Sequence, residues 1–108
     1  MVKMMALTRS FKETIRARAD RDADFRKALY EESLNALLSG DADTGKALLR
    51  DFVNASIGFV RLEEMTGTSS KSLMRMLGPK GNPGLGKLLP VIQAINASEN
   101  VKPEVRVA

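Results

Sequence analysis

From residue 23 onward, glycine, proline and aspartate cut the sequence into short blocks whose apolar residues recur every three or four positions. That punctuation restricts the chain to a bundle of short helices. In the block 23–38, Phe25, Leu29, Ala36 and Leu37 lie beside Tyr30, Leu34 and Leu38, a stripe wide enough to face a core. Asp22 is placed to cap its start and Gly40 to end it. Asp41 then caps a helix over 42–55 that buries Leu48, Leu49, Phe52 and Val53. Residues 59–66 and 70–77 read as two short helices, and 84–96 carries a third stripe, Leu85, Leu88, Leu89, Ile92 and Ile95. Pro90 lies inside that last block and removes one backbone hydrogen bond, so either the helix kinks there or it starts later than Gly84. Upstream, Phe11, Ile15 and Ala19 mark a helix over 9–20, with Ser10 and Glu13 forming a capping box or Thr8 starting it. Beyond residue 98, Val105 and Val107 alternate with polar neighbours. Any strand is confined to 101–107 and needs a partner, either the N-terminal residues or a second subunit. The expectation is an all-α bundle of five or six helices in one domain spanning 1–108. It has N-terminal helices over 9–38, a helix-turn-helix portion over about 41–97 and a tail over 98–108.

Composition narrows the chemistry. The chain has no cysteine and no histidine, which removes disulfide scaffolds, thiolate metal sites, the usual imidazole base and most zinc sites. With four Phe, one Tyr and no Trp, there is little material for the stacked aromatic platforms that hold single strands. No apolar run is long enough to span a bilayer. The opening stretch, Met1 to Leu7, is too short for a signal peptide, so the expected compartment is the cytoplasm and no membrane partner is expected.

The distribution of charge says more than the net +4. Residues 1–30 hold eight basic and four acidic groups, and residues 31–66 hold three basic and seven acidic. Across the 34 residues of 65–98, Lys71, Arg75, Lys80 and Lys87 occur with no acid at all. A surface that meets phosphates must exclude carboxylates, because like charges repel across the interface.

That acid-free stretch overlaps two short helices joined at Gly67, the geometry of a helix-turn-helix. The turn needs a residue tolerant of positive φ, which Gly67 supplies. Leu62 on the first helix, with Leu73 and Met76 or Leu77 on the second, can form the crossing contact. The outer side of the second helix then presents Ser69, Ser70, Lys71, Met74 and Arg75, with Thr68 and Ser72 beside them, toward a major groove. Arginine can address guanine bidentately, and serine and lysine can bond bases or phosphates. Lys80, Asn82 and Lys87 would hold a phosphate near the start of the last helix. Glu63 fits badly, because the fifth position of the first helix is commonly small where the second helix passes over it. Either the register differs slightly or the helices splay.

The segment from Gly58 through Asn96 resembles addiction-module antidote proteins, antitoxin-type helix-turn-helix regulators of the phage-repressor-like superfamily. The likeness rests on the turn at Gly67, the run Ser72-Leu73-Met74-Arg75-Met76-Leu77, the element Gly81-Asn82-Pro83 and the apolar helix after it. It covers about residues 40–97 well and the first two helices more loosely. Glu63 and Pro90 depart from the pattern. The resemblance implies a homodimer bound to operator DNA, repressing its own gene, with a toxin protein as a further partner and no cofactor.

Three other patterns carry other readings. Residues 81–87 match G-x-x-x-x-G-K, but Leu88 stands where a phosphate-binding loop needs Ser or Thr, and no strand precedes it. Asp41 and Asp43 have the spacing of a calcium loop, yet no further oxygen ligands follow, and capping accounts for both. Glu63 and Glu64 are adjacent on a helix and point about 100° apart, so they do not converge on a substrate. No catalytic site, metal site or enzyme activity is expected. The alternative to DNA binding is a protein-interaction module that covers a toxin, with the acidic Glu31, Glu32, Asp41 and Asp43 meeting a basic partner.

Overall fold

The computed structural model describes residues 17–18 and 21–108 of the chain. Among the described residues it shows the helices α1 (Ala23–Leu38), α2 (Ala42–Ala55), α3 (Phe59–Thr66), α4 (Ser70–Met76) and α5 (Leu85–Glu99). The helix expected over 9–20 lies outside the described residues except Ala17 and Arg18, which are helical.

Aspartate side chains cap the starts of α1 and α2. The Asp22 carboxylate accepts from the Phe25 N–H at 3.1 Å, and Asp41 from the Thr44 N–H at 3.2 Å. Each satisfies one of the donors that a helix start leaves unpaired. Gly40 (φ 88°) and Gly58 (φ 79°) adopt left-handed backbone between helices. Asn100 (φ 54°) ends α5, and the Val101 N–H behind it bonds the Asn96 carbonyl at 3.0 Å.

α5 starts after Gly84 and continues through Pro90 in its second turn. The carbonyl deprived of a partner there belongs to exposed Gly86, where water can satisfy it. No strand forms over 101–107: these residues run without regular structure. A lone extended segment has no stability without a second strand beside it.

The core gathers Leu29 and Tyr30 from α1, Leu49, Phe52 and Val53 from α2, Phe59 and Leu62 from α3, Leu73 and Leu77 around α4, and Val91, Ala94 and Ile95 from α5. Tyr30 stacks on Phe52 with centroids 5.0 Å apart, and its hydroxyl donates to Asn96 Oδ1 at 2.6 Å. Burial pushes the Tyr30 phenol up to about 12. Arg26 pairs with Glu99 at 3.0 Å, a second tie between α1 and α5. No helix among the described residues is long and apolar enough to cross a membrane.

Candidate nucleic-acid interface

The pair α3–α4 is built around Gly67, whose φ of 76° turns the chain and whose N–H bonds the Glu63 carbonyl at 2.8 Å. Leu62 and Leu73 are fully buried where the two helices meet, and Leu77 closes the contact from the end of α4. This is the crossing that the apolar spacing implies.

Glu63, the residue that fitted badly, holds the junction together. Its Oε1 accepts from the Ser70 backbone N–H at 2.7 Å and from the Ser70 hydroxyl at 2.8 Å. These bonds, the backbone one first, hold its carboxyl below its ordinary value. Glu63 therefore neither splays the helices nor signals a different register: it reaches across the turn and caps α4. The Phe59 carbonyl, at 3.2 Å, is a second acceptor for the Ser70 hydroxyl. Ser69 is the formal cap, accepting from the Ser72 N–H at 3.2 Å and lying 3.0 Å from the Ser72 hydroxyl.

These bonds sort the ten residues that the sequence singles out. The Ser70 hydroxyl bonds across the junction to Glu63, while Ser69 and Ser72 bond each other at the start of α4. Thr68 is half-buried in the turn, with its N–H on Thr66 Oγ1 at 3.2 Å. Lys71, Met74 and Arg75 are exposed on α4, and Lys71 and Arg75 lie one turn apart on one face. Lys80 and Asn82 are exposed on the following loop and line one shallow depression with Ser72 and Arg75. Lys87 stands outside that depression, exposed in the first turn of α5. Its own N–H is taken by the Gly84 carbonyl at 3.0 Å, so any anion contact there falls to its ammonium group.

One residue escaped the sequence reading. Lys46 of α2 is buried, and its ammonium donates to the Gly81 carbonyl, with Asp43 3.8 Å away. It anchors the loop carrying Lys80 and Asn82 to the body of the bundle. The two partners are 35 positions apart, and no local pattern couples them. Gly81 is fixed from the other side as well, since a Cβ there would fall on the carbonyl oxygens of Met76 and Arg75. The residue before Asn82-Pro83 is therefore glycine for reasons of space.

Asp41 is occupied as a helix cap and Asp43 faces Lys46, which accounts for the calcium-like spacing. Among the described residues no group of three or more metal-ligating side chains comes together. No known family model, curated protein or solved structure matches the chain.

Proposed function

We propose that the protein is a sequence-specific regulator that binds double-stranded DNA, antitoxin-like in type, and represses its own gene as a cytoplasmic homodimer. The observation that carries this reading is the surface of α4 and its following loop. Lys71 and Arg75 share one exposed face, and Arg75 continues into Lys80 and Asn82 around one depression. No carboxylate occurs between residues 65 and 98 to repel phosphate. In this reading Arg75 addresses base edges from the last turn of α4, while Lys80, Asn82 and Lys87 hold the backbone. Two such helices on a two-fold axis would meet half-sites about one DNA turn apart.

The test is a fluorescence-anisotropy titration of duplex from upstream of the gene against a scrambled duplex, at several salt concentrations. Arg75→Ala should relax discrimination at one operator position, at about 1–3 kcal/mol. Lys87→Ala should weaken both duplexes alike and lower the salt slope by about one. Equal losses on both duplexes for both variants would remove the base-reading role of Arg75.

A second reading, a module that covers a basic toxin, is favoured by the exposure of Glu31, Glu32, Asp41 and Asp43 on α1 and α2. It takes precedence if the wild-type chain binds neither duplex near physiological salt.

A further inference from the structure

The tail leaves α5 at Asn100 and passes beside α1, but it does not close on it. A gap of about 770 Å³ separates the two, floored by Leu34 and Leu38 and bordered by Val105. Leu38 is 70% exposed, Val105 72% and Val107 90%. Leu38 on α1 and Val105 and Val107 on the tail thus leave large apolar side chains open, and no backbone hydrogen bond ties residues 102–108 to another described residue.

The tail's own sequence states what partner would cover them. From 101 to 107 it alternates strictly, with Val101, Pro103, Val105 and Val107 on one face and Lys102, Glu104 and Arg106 on the other. In an antiparallel pairing of two copies centred on Val105, Glu104 of each tail stands opposite Arg106 of the other, giving two opposite-charge pairs. Val105 meets Val105, and Pro103 meets Val107. Centring on Glu104 instead would set Glu104 against Glu104 and Lys102 against Arg106, all like charges and destabilising. Proline tests the register independently. It has no N–H, so it must sit where the N–H would point away from the partner. Centring on Val105 can put 103, 105 and 107 at the non-hydrogen-bonded positions together and leave Glu104 and Arg106 to exchange the backbone bonds.

We infer that the tails of two copies of this chain pair as an antiparallel ribbon over residues 103–107, centred on Val105, whose apolar face closes the gap over Leu34 and Leu38. A two-stranded ribbon alone is marginal in water, and the α1 leucines give it the backing it needs. The backbone nitrogen of Pro103, which carries no hydrogen, points out along the free edges and stops a third strand from adding. The inference names the interface of the homodimer proposed above, but its test contains no DNA, so its failure and the failure of the DNA-binding reading are separable.

The chain has no cysteine, so each introduced thiol is the only one present. Paired non-hydrogen-bonded residues have Cα atoms about 4.5 Å apart, within disulfide reach. Mild oxidation of the full chain should therefore cross-link Val105→Cys into a covalent dimer and leave Val107→Cys mostly uncoupled. Sedimentation equilibrium supplies the second arm. Arg106→Glu should weaken self-association roughly tenfold or more, by placing like charges opposite at both pairs. Glu104→Arg combined with Arg106→Glu should restore it to within about threefold of wild type. Equal cross-linking at 105 and 107, no cross-linking at 105, or a double variant as weak as the single one each overturns the ribbon. So does a dimer that ignores all tail changes and dissociates on Leu89→Asp, which would move the interface to the exposed ridge of α5.

Discussion

Replacing Gly81 with alanine adds one methyl group at the most crowded glycine near the candidate interface. Its Cβ would overlap the carbonyl oxygens of Met76 and Arg75, which belong to the end of α4 and cannot rotate away as a flexible side chain would. Two costs follow. Overpacking of this kind typically costs about 1–3 kcal/mol. Moving the loop also strains or breaks the bond from Lys46 to the Gly81 carbonyl, and a hydrogen bond from a charged group contributes about 1.5–3 kcal/mol. The sum, roughly 2.5–6 kcal/mol, is a large share of the ~5–15 kcal/mol by which a domain is stable. At about 4–8 °C per kcal/mol for a domain of this size, the thermal midpoint by circular dichroism should fall by more than ~10 °C. Gly86 is the control. It lies in α5 with nothing within 4 Å of its Cβ position and without positive φ. Gly86→Ala should therefore leave the midpoint unchanged or raise it, by up to about 1 kcal/mol of helix propensity. If both alanines shift the midpoint by similar small amounts, the close approach of the loop to the end of α4 is not part of the folded structure.

The chain has a single tyrosine, so its ultraviolet titration reads Tyr30 alone and should show a midpoint near 12; one near 10 would refute its burial. Because the folded pKa is raised, the stability tied to the neutral phenol is whole below pH 10 and is lost as pH rises from about 10 to 12. The loss is roughly 3 kcal/mol in wild type and absent in Tyr30→Phe. Glu63 has the opposite sign: its folded pKa is lowered, so its contribution is present above the ordinary carboxylate range and fades as pH falls through the folded value. The denaturation midpoints of wild type and Glu63→Gln should differ at pH 7 and converge in acid, and parallel curves would show that Glu63 does not cap α4.

The helices and most of their ends were legible because their causes are local. Asp22, Asp41, Gly40 and Gly67 act within four residues of themselves, and the apolar stripes repeat within a single helix. The crossing of α3 and α4 followed from Leu62 and Leu73 for the same reason. What was not legible depends on groups far apart in sequence. Lys46 finds Gly81 across 35 positions, and Arg26 finds Glu99 across 73. The serines show a different limit. Their type suits both a helix cap and a DNA contact, and only the position of Glu63 decides that Ser70 belongs to the junction. Lys71, Arg75 and Lys80 were identifiable from charge and Asn82 from the Gly81-Asn82-Pro83 element, but that Arg75, Lys80 and Asn82 share one depression was not.

The role of Glu63 also limits how α4 could read DNA. In a helix-turn-helix the first residues of the second helix approach the bases, and its free N–H groups attract phosphate. Here the Ser70 N–H is already bonded to a carboxylate, and the Ser72 N–H to Ser69. Two of the N–H groups at the start of α4 are therefore taken, and the Glu63 carboxylate stands near the cationic Lys71. A duplex laid against this face would gain little from those N–H groups and more one turn further on, at Arg75 and Lys80. On the proposed reading the contact shifts toward the end of α4 and its loop. This is the part of the motif that Lys46 and the tight fit of Gly81 hold in place, so rigidity is built where the binding groups stand, while the polar side chains at the start of the helix keep the two helices together.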